Sequence, residues 1–271
     1  MAPGHETISF LSDYGIVDEF VGVVKSVIRS MAPAVQVIDI THEIAPHDLR
    51  AGALALVRAV QYLAPGVVLA VVDPGVGTER RAIAVEVGES GEGVFVGPDN
   101  GLLASAVSMC GGAQRAVSLT NAEFHLPGPA ATFDGRDIFA PVAAHLCNGV
   151  DLAELGDLID PISLRPGILP LSRDEDGTII GEVLWVDRFG NIQLNVDPDE
   201  IEAWGDRVSV RWGQSEVRTA RRARTYAELK PGEVGLVTDS YGLLSLAFDR
   251  LSASDQLRLR AGDGVTLAPP V

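Results

Sequence analysis

GVVLAVVDPG, Gly66 to Gly75, is apolar at every position from Val67 to Val72 and then stops on an aspartate, a proline and a glycine. Successive side chains of a strand point to opposite faces, so a strand with one wet face alternates apolar and polar residues. This run does not alternate; both of its faces are covered. Its neighbours repeat the pattern. ISFLSDYG (8 to 15) precedes an amphipathic stretch from Val17 to Met31, and VQVIDIT (35 to 41) precedes another from Asp48 to Leu63. Strands covered on both faces and separated by helices of that length imply a parallel or mixed sheet layered with helices. Further strands are expected at Arg81 to Val87, Gly93 to Val96 and Arg115 to Leu119, with helices beginning near Gly101 and Asp137.

The character changes after LGDLIDPISLRPGILPLSRDEDG (155 to 177), which is rich in proline, glycine and charge. TIIGEVLWVD, IQLNV, RVSVRW, GEVGLVTD and LLSLAF follow, short strands set off by turn residues. The expected organisation is an α/β domain over residues 1–165, a linker over 166–176 and a smaller, β-rich, barrel-like domain over 177–271.

The chain of 271 residues carries a formal charge of −16, which argues against nucleic acid or an anionic membrane as partner. Cys110 and Cys147 lack metal-like spacing, and the start MAPGHETISF lacks the basic and apolar regions of a signal peptide. No apolar run approaches the roughly 20 residues of a membrane span. A cytoplasmic protein is expected.

Polar residues recur just past the expected strands: Asp13 in SDYG, Asp73 in VVDPGVGTERR, Asp99 and Asn100 in GPDNG. In open α/β sheets ligands bind beyond the carboxyl ends of strands, so these residues are candidates for a site. Each also has a plainer reading as a turn former, and Arg80 and Arg81 as a solvated pair. In ATFDGRDIFAP (131 to 141), Asp137 reads as a helix cap or first-turn acid with Arg136 as its local partner. Several acids together also suit a divalent cation. Against a metal, His5, His42, His47, His125 and His145 are scattered and form no ligand motif. GVG at 75–77 is not a dinucleotide fingerprint. In the second domain, WVDRFGNIQLNV sets Asp187, Phe189 and Asn191 around a glycine, which suits adenine stacking or simply a turn with a core Phe. Asp239, Ser240 and Tyr241 in VTDSYG read as a site edge or a polar hairpin turn.

Taken in order, FLSDYG, DPGVGTERR, GPDNGLL, TFDGRDIFAP, VDRFGNIQLN and TDSYGLLSLA resemble the S-adenosylmethionine (SAM) hydrolases, or SAM hydroxide adenosyltransferases, relatives of the SAM-dependent fluorinases and chlorinases. The resemblance runs from about Ile8 to the 260s. It implies a homotrimer, with SAM at the interface between the N-terminal domain of one subunit and the C-terminal domain of the next. The implied reaction is attack of water or hydroxide on the ribose 5′ carbon, giving adenosine and L-methionine. The sulfonium makes methionine a good leaving group, so neither metal nor cofactor is implied; SAM is the substrate. By motif, Asp13 would hold the ribose hydroxyls and Asp18 would lie near methionine, with Asn100 also in the substrate-binding set. Asp187, Ser240 and Tyr241 would bind the amino acid end, and Phe189 and Asn191 the adenine.

The resemblance also implies an Asp, Arg, His trio around the nucleophile. Asp73 and Arg80 match, but the third position is Asp134. A carboxylate is a weaker base than imidazole. Asp134 could be a base, could only orient the water, or could mark a SAM-binding protein of reduced turnover. A halogenase forming 5′-chloro-5′-deoxyadenosine is the close alternative. Against it, Asp73 and Asp134 stand where a halide would meet like charge, Gly135 stands where fluorinases carry serine, and VGESGEGVFV (87 to 96) is shorter than the corresponding fluorinase loop.

Overall fold

The computed structural model describes residues 4–88, 93–128, 131–167 and 169–270. The chain forms two compact units, residues 1–169 and 170–271. In the first, seven strands form one sheet: β1 (Thr7–Ser12), β2 (Gln36–Thr41), β3 (Gly66–Val71), β4 (Ala82–Val87), β5 (Gly93–Pro98), β6 (Ala113–Ser118) and β7 (Asp157–Ile159). Their order is β2-β1-β3-β5-β4-β6-β7. The β1/β2, β1/β3 and β3/β5 pairs are parallel, whereas β4 and β6 run antiparallel to their neighbours. The apolar run from Gly66 is the interior strand β3, buried along its whole length.

Helices α1 (Phe20–Met31), α2 (Leu49–Val60), α3 (Ala104–Met109) and α4 (Ala140–Cys147) accompany this sheet. Val24 and Ile28 of α1, one turn apart, pack with α4 and Ile8, Phe10 and Leu69 in one core cluster. Leu56 of α2 and Leu102 and Ala106 join Leu11, Ala70 and Phe95 in another. Two covered faces explain why β3 has no polar residue. The side chain of Asp48 accepts a hydrogen bond from Ala51 N (2.9 Å) and starts α2. Helix α1 begins later than its apolar pattern suggests, because Ile16 and Val17 are 75% and 95% exposed.

The second unit contains β8 (Arg173–Glu175), β9 (Thr178–Val186), β10 (Ile192–Leu194), β11 (Arg207–Trp212), β12 (Glu216–Ala223), β13 (Val234–Thr238), β14 (Leu244–Ala247) and β15 (Gly264–Ala268), with one short helix, α5 (Ala253–Leu257). The order β10-β14-β13-β12-β11-β15-β9 closes on itself because β10 also pairs with β9, which makes a seven-stranded barrel with β8 added at β9. Closure leaves no free edge within the ring. The stretch expected as a linker, 166–176, therefore contributes a strand. Residue 168 within it, and residues 89–92 of the loop compared with fluorinases, lie outside the described residues.

Candidate active site

Because β1, β3 and β5 are adjacent and parallel, Asp13, Asp73 and the Asp99–Asn100 pair leave the sheet along one edge. Past β3 the chain makes a tight turn. Val76 N donates to Asp73 O, and Thr78 N and Oγ1 donate to Gly75 O. Gly77 has φ 76°, and a Cβ there would lie 2.7 Å from Ala131 O. Only glycine fits that approach. The turn returns Arg80 onto Asp73, with Nε donating to Oδ1 at 2.9 Å and Nη2 to Oδ2.

Nη2 also donates to Asp134 Oδ2. One guanidinium thus binds two carboxylates that are distant in sequence. All three side chains are 11% exposed or less. Burial disfavours the charge on Arg80, but its bonds to Asp73 and the nearby Asp134 carboxylate outweigh burial and raise its pKa. The Arg80 guanidinium also lies 5.4 Å from the centre of the Phe139 ring. Among the described residues nothing pairs with Asp134 Oδ1, so that oxygen is the free acceptor of the cluster.

The helix entry that carries Asp134 is unusual. Gly135–Phe139 form a π-helical turn, with Ala140 N donating to Gly135 O five residues back, and α4 continues from it. Pro141 has no N–H to give the carbonyl of Asp137, and that carbonyl instead accepts from Leu126 N at 2.8 Å. Asp137 does not cap the helix. Its carboxylate takes two bonds from Arg136, at 2.6 and 2.8 Å, and Asp134 makes no side-chain cap either. The acid at the N-cap position is turned to Arg80 instead.

Asp13 sits at the end of β1, and its Oδ2 accepts from His47 N at 2.9 Å. The buried pair Ser12 Oγ and His42 Nδ1, 2.8 Å apart, lies beneath it, with Gly15 N donating to His42 O. His42 Nε2 is 3.2 Å from Asp39 Oδ1, which also neighbours Lys25. Asn100 donates to Val72 O and accepts from Leu102 N, so its amide ties the ends of β3 and β5. Asp99 accepts from Arg81 and from Arg165 N, so Arg81 is not a merely solvated residue. Asp18 is exposed and lies ahead of α1.

In the barrel unit, Asp187, Phe189, Asn191, Ser240 and Tyr241 all line one cavity of about 240 Å³. Asp187 Oδ1 accepts from the backbone N–H groups of Phe189 and Asn191, and Oδ2 from Asn191 Nδ2, all within 2.8 Å. This Asx-type turn leaves Phe189 79% exposed. Asp239 closes the other wall, accepting from Tyr241 N and from the buried amide of Gln193. The Trp185 and Tyr241 rings meet edge to face at 6.3 Å. The sequence reading did not single out Tyr14, Ser12, Trp185 or Gln193, which the structure sets beside these candidates; the polar SDYG turn contained the signal for Tyr14 but was read only through its aspartate.

Together these features define a class: an α/β unit with carboxylates converging on one arginine at strand ends, followed by a β-barrel unit with a small polar and aromatic cavity. The chain matches the SAM hydroxide adenosyltransferase N-terminal domain over residues 8–156 and the C-terminal domain over residues 181–266, and it belongs to that family. It is 44% identical over 256 residues to the (R)-S-adenosyl-L-methionine hydrolase of Salinispora tropica, covering 94% of this chain and 95% of that protein. With the hydrolase of the same name from Thermus thermophilus the identity is 41%, covering 96% and 98%. A fluorinase from Actinoplanes sp. is 26% identical, covering 98% of each chain. The crystal structure of an uncharacterized conserved protein from Thermotoga maritima superposes with a TM-score of 0.89 at 36% identity, covering 96% and 99%.

Proposed function

We propose that this protein is a SAM hydrolase that releases adenosine and L-methionine by attack of water on the ribose 5′ carbon. The observation that carries the reading is the pairing of Arg80 with both Asp73 and Asp134, which leaves Asp134 Oδ1 free to take a proton. Relatives at 41 to 44% identity carry the hydrolase name. As the oxygen to carbon bond forms, the attacking water becomes an oxonium, a far stronger acid than a carboxylic acid. A carboxylate is then base enough, and histidine is not required at that position. Arg80, already shared by two carboxylates, holds their geometry more than it stabilises free hydroxide. A halide would face the same two carboxylates at close range, which favours water as nucleophile.

In this reading Asp13 holds the ribose hydroxyls, with Asp18 near the methionine end and Asn100 keeping the strand ends in register beside the substrate. Asp187, Ser240 and Tyr241 bind the amino acid end, and Phe189 and Asn191 receive adenine. The departing sulfur needs no protonation, so the reading uses neither metal nor cofactor. Homotrimeric assembly with SAM at subunit interfaces and a cytoplasmic location belong to the same proposal. Among the described residues no helix is long and apolar enough to cross a membrane.

The test is incubation of the purified protein with SAM in ¹⁸O-labelled water, with and without chloride. Adenosine carrying the label at O5′ is expected, and Asp134→Asn should slow its release by about 100-fold or more. A chlorinated nucleoside, or SAM recovered intact, would defeat the proposal.

A further inference from the structure

Tyr14 is a polar side chain beside this cluster that the hydrolytic reading leaves unused. Its ring is clamped by three others: Phe10 at 6.5 Å, Phe20 at 5.8 Å and Phe133 at 5.6 Å between centroids. The backbone is fixed as well, with Tyr14 N 3.4 Å from Ser12 Oγ and Gly15 N bonded to His42 O. The hydroxyl therefore has one place to go. It lies against Gly135, the residue that follows Asp134, so close that a Cβ on that glycine would be 2.1 Å away. Yet among the described residues it makes no hydrogen bond. Tyr14 is half-buried, so its hydroxyl is open to a water molecule that completes its hydrogen bonding.

We propose that Tyr14 is a catalytic residue whose hydroxyl, with Asp134 Oδ1, holds the attacking water. This rests on the hydrolytic reading above. The water gives one hydrogen to Asp134 Oδ1 and the other to Tyr14 Oη, which leaves a lone pair directed at the 5′ carbon. The oxygen to carbon bond forms as the carbon to sulfur bond breaks, and that electron pair leaves with methionine sulfur. The oxonium proton passes to Asp134 and then to solvent. Tyr14 keeps its own proton throughout: burial first, then the fields of Asp13, Asp73 and Asp134, raise its pKa despite Arg80. It positions the water by geometry and does not act as a base. Gly135 is part of the same device, since any side chain there would displace the hydroxyl.

The test is Tyr14→Phe, which keeps the ring among Phe10, Phe20 and Phe133. The kcat for adenosine release should fall about tenfold, the worth of one hydrogen bond, with KM for SAM and Tm little changed. Gly135→Ala should cost a similar factor in the natural protein and less in the Tyr14→Phe background. Through about pH 9 to 11, where an ordinary tyrosine ionises, the rate profiles of the natural protein and Tyr14→Phe should run parallel. An unchanged kcat, a loss confined to KM, or a rise with pH that Tyr14→Phe lacks would each overturn the proposal. If the natural protein releases no adenosine at all, the hydrolytic reading fails and this step fails with it.

Discussion

Replacing Arg80 with alanine tests the cluster as a physical unit. The substitution leaves Asp73 and Asp134, 6% and 11% exposed, without the guanidinium that both bind. Removing one partner from a buried ion pair typically costs about 3–5 kcal/mol, because a charge is left buried and uncompensated. The lower end, about 3 kcal/mol, is expected at neutral pH. For a chain of this size that corresponds to a fall in Tm of roughly 6–12 °C in the transition of the first unit. Adenosine release should drop by about 100- to 1,000-fold, the usual effect of losing a preorganised charged donor. Arg80→Lys restores a charge but not the fork that reaches both carboxylates, so stability should partly recover while the rate stays low. Calorimetric melts, with a chromatographic assay of adenosine, measure both. A melting temperature within two degrees or so of the natural protein, or full activity in Arg80→Lys, would refute the argument.

Other consequences are separable from that one. Asp187→Ala removes the acceptor of three hydrogen bonds in the barrel unit's turn, and SAM affinity by calorimetry should weaken roughly tenfold to 100-fold. Burial lowers the pKa of His5, His125 and His145, so their neutral forms favour the folded state. Their contribution is complete above the unfolded value near 6.5 and is lost as pH falls through the folded values. Tm should therefore decline from about pH 7 toward pH 5, less steeply in His145→Gln. Burial pushes the Cys147 thiol up to about 12, so iodoacetamide at about pH 8 should spare it in the folded protein and label it in urea.

The fold was legible because its strongest signal is chemical and local. A strand with no polar residue, such as β3, needs cover on both faces, and the amphipathic stretches at α1 and α2 supply it. Closure of the barrel was less legible, since it depends on β10 pairing with both β9 and β14 and only three residues make that strand. Among the candidates that announce themselves by charge beside a turn, Asp73, Arg80 and Asp134 are brought together by the fold of the first unit. Tyr14 was not legible, because its apolar ring belongs to an aromatic cluster and only its last atom is polar. The choice between cap and site for the acids of ATFDGRDIFAP also depended on Pro141, whose effect is felt at a carbonyl four residues earlier.

That proline connects the covalent chain to the chemistry. A regular helix running through Pro141 would leave the carbonyl of Asp137 without its usual donor; the π-helical turn and the bond from Leu126 resolve this. The widened turn begins at Gly135, whose missing side chain admits the Tyr14 hydroxyl, directly after Asp134, which is bound to Arg80 and so not used as a cap. An aspartate at an N-cap position would ordinarily accept from the first free N–H groups of the helix. Here the guanidinium takes one oxygen of that acid, and the other is left for a ligand. Exchange of Asp134 for histidine would keep a base near the free position but would break the second arm of the Arg80 bridge. The aspartate is therefore integral to this cluster as built, and a histidine substituted alone is expected to loosen Arg80 and so to slow the enzyme.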